Sequence, residues 1–280
     1  MDETSRWERV TIHKPCPICG KPDWCGRIMD VICCMRVQSE RPTKNGGWIH
    51  VLKINSSKKS PTTQTKTQKK ISEVLKMSMP SLMNSWIKTT TQSETREFAV
   101  LLGLPSVKPL ECLSAAWSFR HHAWAFPMRN SNNEITGIRL RDKSGKKWTV
   151  TGSKQGLFIP QPLPPADFLL ICEGPTDTAA ALSLGYSAIG RPCCRGCEFE
   201  VNQTIAKNKF TNVVIVADND QPGIDGANAL ANSLFCLYKI ITLPKKDMRE
   251  FVKSGGKKEV IDCIINQQLW KGKYLRGKEG

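Results

Sequence analysis

The chain has 280 residues, long for one domain and ample for two or three. Forty per cent of them are hydrophobic, yet no apolar run approaches the roughly 20 residues of a membrane span, and Met1 to Val10 is too charged for a secretory signal, so a soluble, cytoplasmic protein with no membrane partner is expected. The net charge of +16 sits almost wholly in the N-terminal part, +14 up to residue 165 (26 Lys and Arg against 12 Asp and Glu) and +2 beyond it (15 against 13), a field that attracts a polyanion such as nucleic acid.

The first block, residues 1–54, is rich in cysteine. Cys16-Pro17-Ile18-Cys19-Gly20 has the form of a metal knuckle, in which two thiolates three residues apart bind one tetrahedral zinc ion. The remaining ligands must come from Cys25, Cys33, Cys34 and His50. Five cysteines within 19 residues of a chain without a secretory signal point to a structural Zn²⁺ rather than to disulfides. Trp24, Trp48, Lys21, Arg27, Arg36 and Arg41 are candidates to meet bases and phosphates.

Residues 55–70 are dominated by Ser, Thr, Gln and Lys and predict a flexible linker. Residues 71–165 form the next block. From Ile71 to Leu113 the apolar spacing is helical, and short strands are predicted over 124–128, 135–140 and 147–150, separated by turn-forming clusters at 130–133 and 142–145. After Pro160 to Pro165, residues 166–270 alternate short apolar runs with helical stretches. Strands are predicted at 168–172, 186–189, 213–217 and 239–243, and helices at 176–184 and 223–235. That alternation implies a mostly parallel sheet covered on both faces.

Functional groups in such a sheet collect where strands end. The first strand runs into Glu173-Gly174-Pro175-Thr176-Asp177 and the third into Asp218-Asn219-Asp220-Gln221-Pro222-Gly223, so neighbouring strands would bring carboxylates together within a few ångströms. Like charges resist that unless a cation is present, and Mg²⁺ is the natural one for phosphate chemistry. Lys246-Asp247-Met248-Arg249 follows the fourth strand and can add charge to the same edge, while Asp177 taken alone reads equally well as a helix cap.

Glu-Gly-x-x-Asp after one strand and Asp-x-Asp after another resemble the Toprim family over residues 166–265. The resemblance implies Glu173 as general acid or base, Asp218 and Asp220 as ligands of Mg²⁺ or Mn²⁺ with Glu173 as a further ligand, and Asp177 as the fourth acidic position. The series Ala125 to Arg129, Ile135-Thr136-Gly137-Ile138-Arg139-Leu140-Arg141 and Thr151 to Phe158 resembles the basic subdomain of bacterial primases, which implies that Arg129, Arg139, Arg141 and Lys154 face template or nucleotide phosphate. On strand periodicity alone, Arg139 and Arg141 share a face with Gly137 that would simply be solvated. The cysteine block resembles a primase zinc ribbon, which implies Cys16, Cys19 and Cys34 as ligands. Val37 stands where a fourth cysteine would be, leaving Cys25 or His50 for that place.

Together these resemblances imply an α/β protein of bacterial or phage primase type: a zinc ribbon, a linker, a preceding α+β basic subdomain and a Rossmann-like Toprim domain. The implied activity is Mg-dependent synthesis of short primers on a single-stranded DNA template from NTPs or dNTPs, in DNA replication of a phage or other mobile element, with a replicative helicase as a separate partner. A Toprim nuclease and a non-catalytic nucleic-acid-binding module are the alternatives.

Overall fold

The structure, a computed structural model, describes residues 7–28, 30–41, 43, 47–52 and 78–272; the expected linker 55–70 and the start of the helical stretch from Ile71 lie outside the described residues. The chain divides into two compact units, residues 1–70 and 71–280.

The first unit is a four-stranded antiparallel sheet in chain order, β1 (Glu8–Arg9), β2 (Gly26–Ile28), β3 (Val31–Cys34) and β4 (Trp48–Val51). Its buried core is Val10, Cys16, Cys25, Ile32 and Cys34. Two aliphatic side chains contribute only about 1.5–3 kcal/mol each, far too little to hold so small a unit without another source of stability.

Among the described residues, the second unit begins with three helices where the sequence shows one continuous pattern. α1 (Met79–Thr89) is capped by Ser78 and carries Met79, Leu82, Met83 and Trp86 along one stripe. α2 (Gln92–Leu102) begins with a capping box between Thr91 and Glu94 and stops at Gly103, whose φ of 74° an L side chain rarely adopts; α3 (Lys108–Cys112) is a short turn of helix. Thr90 and Thr91 divide the pattern because both are extended and each hydroxyl or carbonyl is committed to a helix end.

An antiparallel meander follows: β5 (Ala116–Ser118), β6 (Ala123–Arg129), β7 (Ile135–Asp142) and β8 (Lys147–Thr149). Ala116, Ala123, Ala125, Ile138 and Leu140 turn one face of it toward Met83 and Trp86 of α1. The register aligns Trp117, Trp124, Arg141 and Lys147 in one row across all four strands, and Phe126 with Arg139 in the next. Directly opposed residues share a face. The face bearing Arg139 and Arg141 is therefore the one that also carries Trp124 and Phe126, and it packs inward instead of lying in solvent as strand periodicity alone allowed.

The last part is a four-stranded parallel sheet in the order β10-β9-β11-β12: β9 (Leu169–Glu173), β10 (Ala188–Arg191), β11 (Asn212–Ala217) and β12 (Leu237–Thr242). α4 (Pro175–Ser183), α7 (Met248–Lys253) and α8 (Lys258–Gln267) bury Ala179, Ala180, Phe251, Ile261 and Ile265 with Leu170, Cys172, Val214 and Val216. α5 (Glu198–Lys207) and α6 (Gln221–Ser233) bury Val201, Ile205, Ala227 and Leu230 with Leu169, Ile171 and Ile215. The sheet is thus wound on both faces, as the alternating pattern implied. α5, α7 and α8 were not among the predicted helices; α5 places only Val201 and Ile205, with Thr204, in the core.

Trp124, Phe126 and Met128 belong to the same buried cluster as Leu170 and Val214, so the meander and the parallel sheet share one core. The chain joins them through two consecutive residues. Leu157 exchanges backbone hydrogen bonds with Arg129 of β6 at 2.8 Å each way, and Phe158 exchanges them with Gly190 of β10 at 2.8 and 2.9 Å.

Candidate active site and metal centre

Glu173 is the last residue of β9, and Gly174 turns the chain into α4 with φ 88° and ψ 165°, a conformation that favours glycine. β9 and β11 are neighbours, with Ile171 level with Ile215, so Glu173 and the Asp218–Asp220 loop leave the sheet side by side. Asp220 caps α6 through Oδ1, which accepts the Gly223 amide at 2.9 Å. Gly223 is required by packing, since a Cβ there would lie 2.6 Å from the Asp218 carbonyl. The Asn219 amide donates to the Lys246 carbonyl at 2.7 Å, tying this loop to the one after β12.

That second loop supplies a carboxylate that the sequence placed only loosely. Asp247 caps α7, accepting the Glu250 amide at 2.6 Å, and its Oδ2 takes a hydrogen bond from Arg249 at 3.1 Å. Asp177 does not cap its own helix, which Gly174 precedes without a side-chain cap. It is 4% exposed and its Oδ1 accepts the Arg249 amide at 3.0 Å, so it bonds the first turn of α7.

The carboxylates act on one another. Burial, then Glu173, Asp247 and Asp220, push Asp218 up to about 7; burial, then Asp247, do the same for Asp177; burial also raises Glu173, against the pull of Lys147 and Arg191. A carboxyl whose folded pKa lies above its unfolded value favours the folded state most when both states are protonated, and that advantage is lost as pH rises through the folded pKa. For the metal-free chain, then, Asp218→Asn should gain thermal stability relative to wild type as pH rises from about 4 through about 7. The difference in melting temperature should be flat below that window, and a difference independent of pH across it would contradict the burial and repulsion described.

The expected basic residues divide. Arg141 is half-buried and faces Arg249, Asp177 and Asp247, beside the carboxylates. Arg139 donates through Nη2 to the Pro192 carbonyl at 2.7 Å, and Arg129 braces its own hairpin at the Asn133 carbonyl (2.9 Å) and Ser114 Oγ (3.3 Å). Lys154 is exposed. Lys147, next to Arg141 in the cross-sheet row, acts on both Glu173 and Asp218 and was not singled out from the sequence. Its signal was the register itself, because a lysine opposite Arg141 must share its face.

In the first unit, the Sγ atoms of Cys16, Cys19, Cys25 and Cys34 lie within 4.8 Å of one another. Cys19 and Cys25 are 3.7 Å apart, and Cys25 and Cys34 4.0 Å. A tetrahedron with Zn–S bonds of about 2.3 Å has edges of about 3.8 Å, so the group fits one zinc ion. The fourth sulfur is Cys25; His50 stands outside the group, its Nε2 3.1 Å from the Val37 carbonyl. Val37 in turn donates its amide to Cys34 Sγ at 3.3 Å, and Met35 donates to Cys25 Sγ at 3.4 Å. Without a cation, burial pushes Cys25 up to about 12, while the Lys21 amide draws Cys19 down to about 6. Arg36, bonded to Asp23 at 2.6 Å, holds the loop of the exposed Trp24.

No family model matches the chain. The gene 57 protein of Mycobacterium phage D29 is 30% identical over 141 residues, which cover 49% of this chain and 91% of that protein. The chain belongs to the family of that phage protein. The gene 57 relative is joined by solved structures that show the fold. The DnaG catalytic core matches with a TM-score of 0.54 at 16% identity, covering 69% of this chain and 79% of that one. A DnaG catalytic domain bound to single-stranded DNA matches at 0.54 and 14%, over 74% and 81%. The Aquifex aeolicus primase, with its zinc-binding and RNA polymerase domains, matches at 0.55 and 15%, over 71% of this chain and 64% of that one. The fold of this gene 57 family member is therefore that of bacterial primase cores. Among the described residues no helix is long and apolar enough to cross a membrane.

Proposed function

We propose that the chain is a primase, a DNA-directed nucleotidyltransferase that makes short oligonucleotides on a single-stranded DNA template from NTPs or dNTPs, with a Toprim domain as its catalytic part. The observation that supports this most is the adjacency of β9 and β11, which sets Glu173 beside Asp218 and Asp220 at one edge of a primase-like fold. Hard oxygen donors of one sign, partly buried and mutually repelling, suit a divalent cation.

Asp218 and the second oxygen of Asp220 would hold Mg²⁺ or Mn²⁺, with Glu173 as a further ligand or as the group that takes a proton. What an ion held there would supply is activation of a 3′-hydroxyl and neutralisation of charge on the departing pyrophosphate. Arg141 and Lys147 would meet nucleotide phosphates beside the carboxylates, while Arg139, on a loop carbonyl, supports the site instead of touching substrate. Asp177 and Asp247 hold α7 in place. The four cysteines would carry structural zinc.

The test is template-dependent incorporation of labelled NTPs or dNTPs on single-stranded DNA, with Mg²⁺, Mn²⁺ and chelator arms. Metal-dependent products shorter than the template are expected. Cleavage of labelled DNA in place of extension would assign a nuclease, and binding without either reaction a non-catalytic module; both outcomes would overturn the proposal.

A further inference from the structure

Arg191 ends β10 directly opposite Glu173, its Cα partner in the parallel register. The residue is 4% exposed. The amide of Gly174, immediately after Glu173, donates to the Arg191 carbonyl at 2.7 Å. Its guanidinium reaches three further segments: Nη1 donates to the Gly226 carbonyl in α6 at 3.4 Å, and Nη2 to the carbonyls of Cys194 at 2.9 Å and Gly196 at 3.1 Å and to the Glu198 carboxylate at 3.4 Å. Glu198 closes the loop by accepting the Gly196 amide at 2.9 Å, and Arg139 fixes its start at Pro192.

A charge this deep is costly unless it is paired and hydrogen-bonded, and an apolar residue would fill the same volume more cheaply. What only arginine supplies is a planar fork of donors that stays charged. Here the fork spans the loop 192–197, Glu198 of α5 and α6, the helix that begins where the Asp218–Asp220 loop ends, while the backbone of Arg191 pairs with the end of β9. The neighbouring charge that repays burial of the guanidinium is Glu198, and Glu173 stands within its field.

We propose that Arg191 is a positioning residue for the metal-binding carboxylates: its backbone is paired with Glu173 at the end of β9, and its guanidinium ties the loop 192–197 to α6, which fixes the separation between Glu173 and the Asp218–Asp220 loop. This rests on the reading that those carboxylates hold a divalent cation. Arg191 takes no part in the reaction itself; it acts through the two segments it ties together.

The experiment is a Mn²⁺ titration of the zinc-loaded full chain, read by the electron paramagnetic resonance of free Mn²⁺, alongside the Mg²⁺ half-saturation of template-dependent synthesis. Arg191→Lys keeps the charge but loses the fork, Arg191→Met keeps the volume alone, and Glu198→Gln weakens the far anchor. Both arginine variants should bind Mn²⁺ about tenfold more weakly or worse, the range for groups that orient metal ligands. The Mg²⁺ half-saturation should rise in parallel, the KM for template and the affinity for single-stranded DNA should stay put, and Glu198→Gln should shift the same way by less. Folded variants with wild-type Mn²⁺ affinity and Mg²⁺ half-saturation would overturn the assignment. Should Arg191→Met fail to fold, Arg191→Lys decides alone. Glu173→Gln and Asp218→Asn serve as controls: if neither weakens Mn²⁺ binding, the carboxylates are no metal site and the inference falls with that reading, whereas weak binding in these controls with intact binding in Arg191→Lys removes the inference only.

Discussion

Asp218→Asn and Asp220→Asn are each expected to remove Mg²⁺-dependent synthesis, by a factor on the order of 10³ or more, because a metal contributes several kcal/mol of transition-state charge stabilisation and each tenfold in rate is about 1.4 kcal/mol. A neutral amide oxygen is a poor ligand for a hard cation that must be stripped of water. The fold should survive both changes. At 220, Asn caps a helix as well as Asp, so the bond to the Gly223 amide persists. At 218, a charge that burial and the neighbouring Glu173 and Asp247 disfavour disappears, which relieves repulsion. Glu173→Gln should also stop synthesis. Asp177→Asn should be milder, since an amide oxygen can still accept from Arg249. Rate assays at saturating Mg²⁺, with melting curves for each variant, check the set; wild-type rates in both the 218 and 220 variants would place the chemistry elsewhere.

The second large effect concerns zinc. One ion per chain is expected from elemental analysis after removal of loosely held metal. Cys25→Ser or Cys34→Ser should abolish it, and His50→Ala should leave it intact. Zinc binding to structural sites is worth about 10–16 kcal/mol near neutral pH, far more than the burial of Val10 and Ile32 contributes, so the first unit should unfold when the ion is removed. Limited proteolysis of the full chain with and without chelator reads this directly, with new cuts within residues 7–52 on chelation. Zinc retained by Cys25→Ser and lost in His50→Ala would reverse the ligand assignment.

The carboxylates and the cysteines were visible in the sequence because their chemistry constrains neighbours along the chain. A strand that runs into two acids four residues apart with a glycine after the first, and another that runs into two acids two apart, leave a local mark, and so do two cysteines three apart. What stayed hidden depends on pairing across strands or between loops. That Cys25, and not His50, lies with Cys16, Cys19 and Cys34 comes from the fold around Cys25 and Cys34, not from spacing. Lys147 gained its place from the register opposite Arg141, and Asp247 from the crossing of α7 onto α4. Arg191 was not singled out from the sequence, because its partners lie in the loop 192–197 and in α6. That the face of Arg139 and Arg141 packs inward was beyond strand periodicity for the same reason: alternation tells which residues share a face, but not which layer that face meets.

Leu157 and Phe158 hold a consequence for how such a chain can change. Being adjacent, they look in opposite directions, and each is stitched by its backbone to a different sheet. Gly156 admits no side chain beside this seam, where a Cβ would lie 2.7 Å from the Arg129 carbonyl. The spacing between the arginines of the meander and the acids of the parallel sheet is thus set by main chain, like two boards sharing a tongue and groove. Added residues in the exposed turns at 130–133 or 143–146 would leave it unaltered. A single residue added between Gly156 and Phe158 would turn each of the pair toward the wrong sheet and dismantle both halves of the site at once.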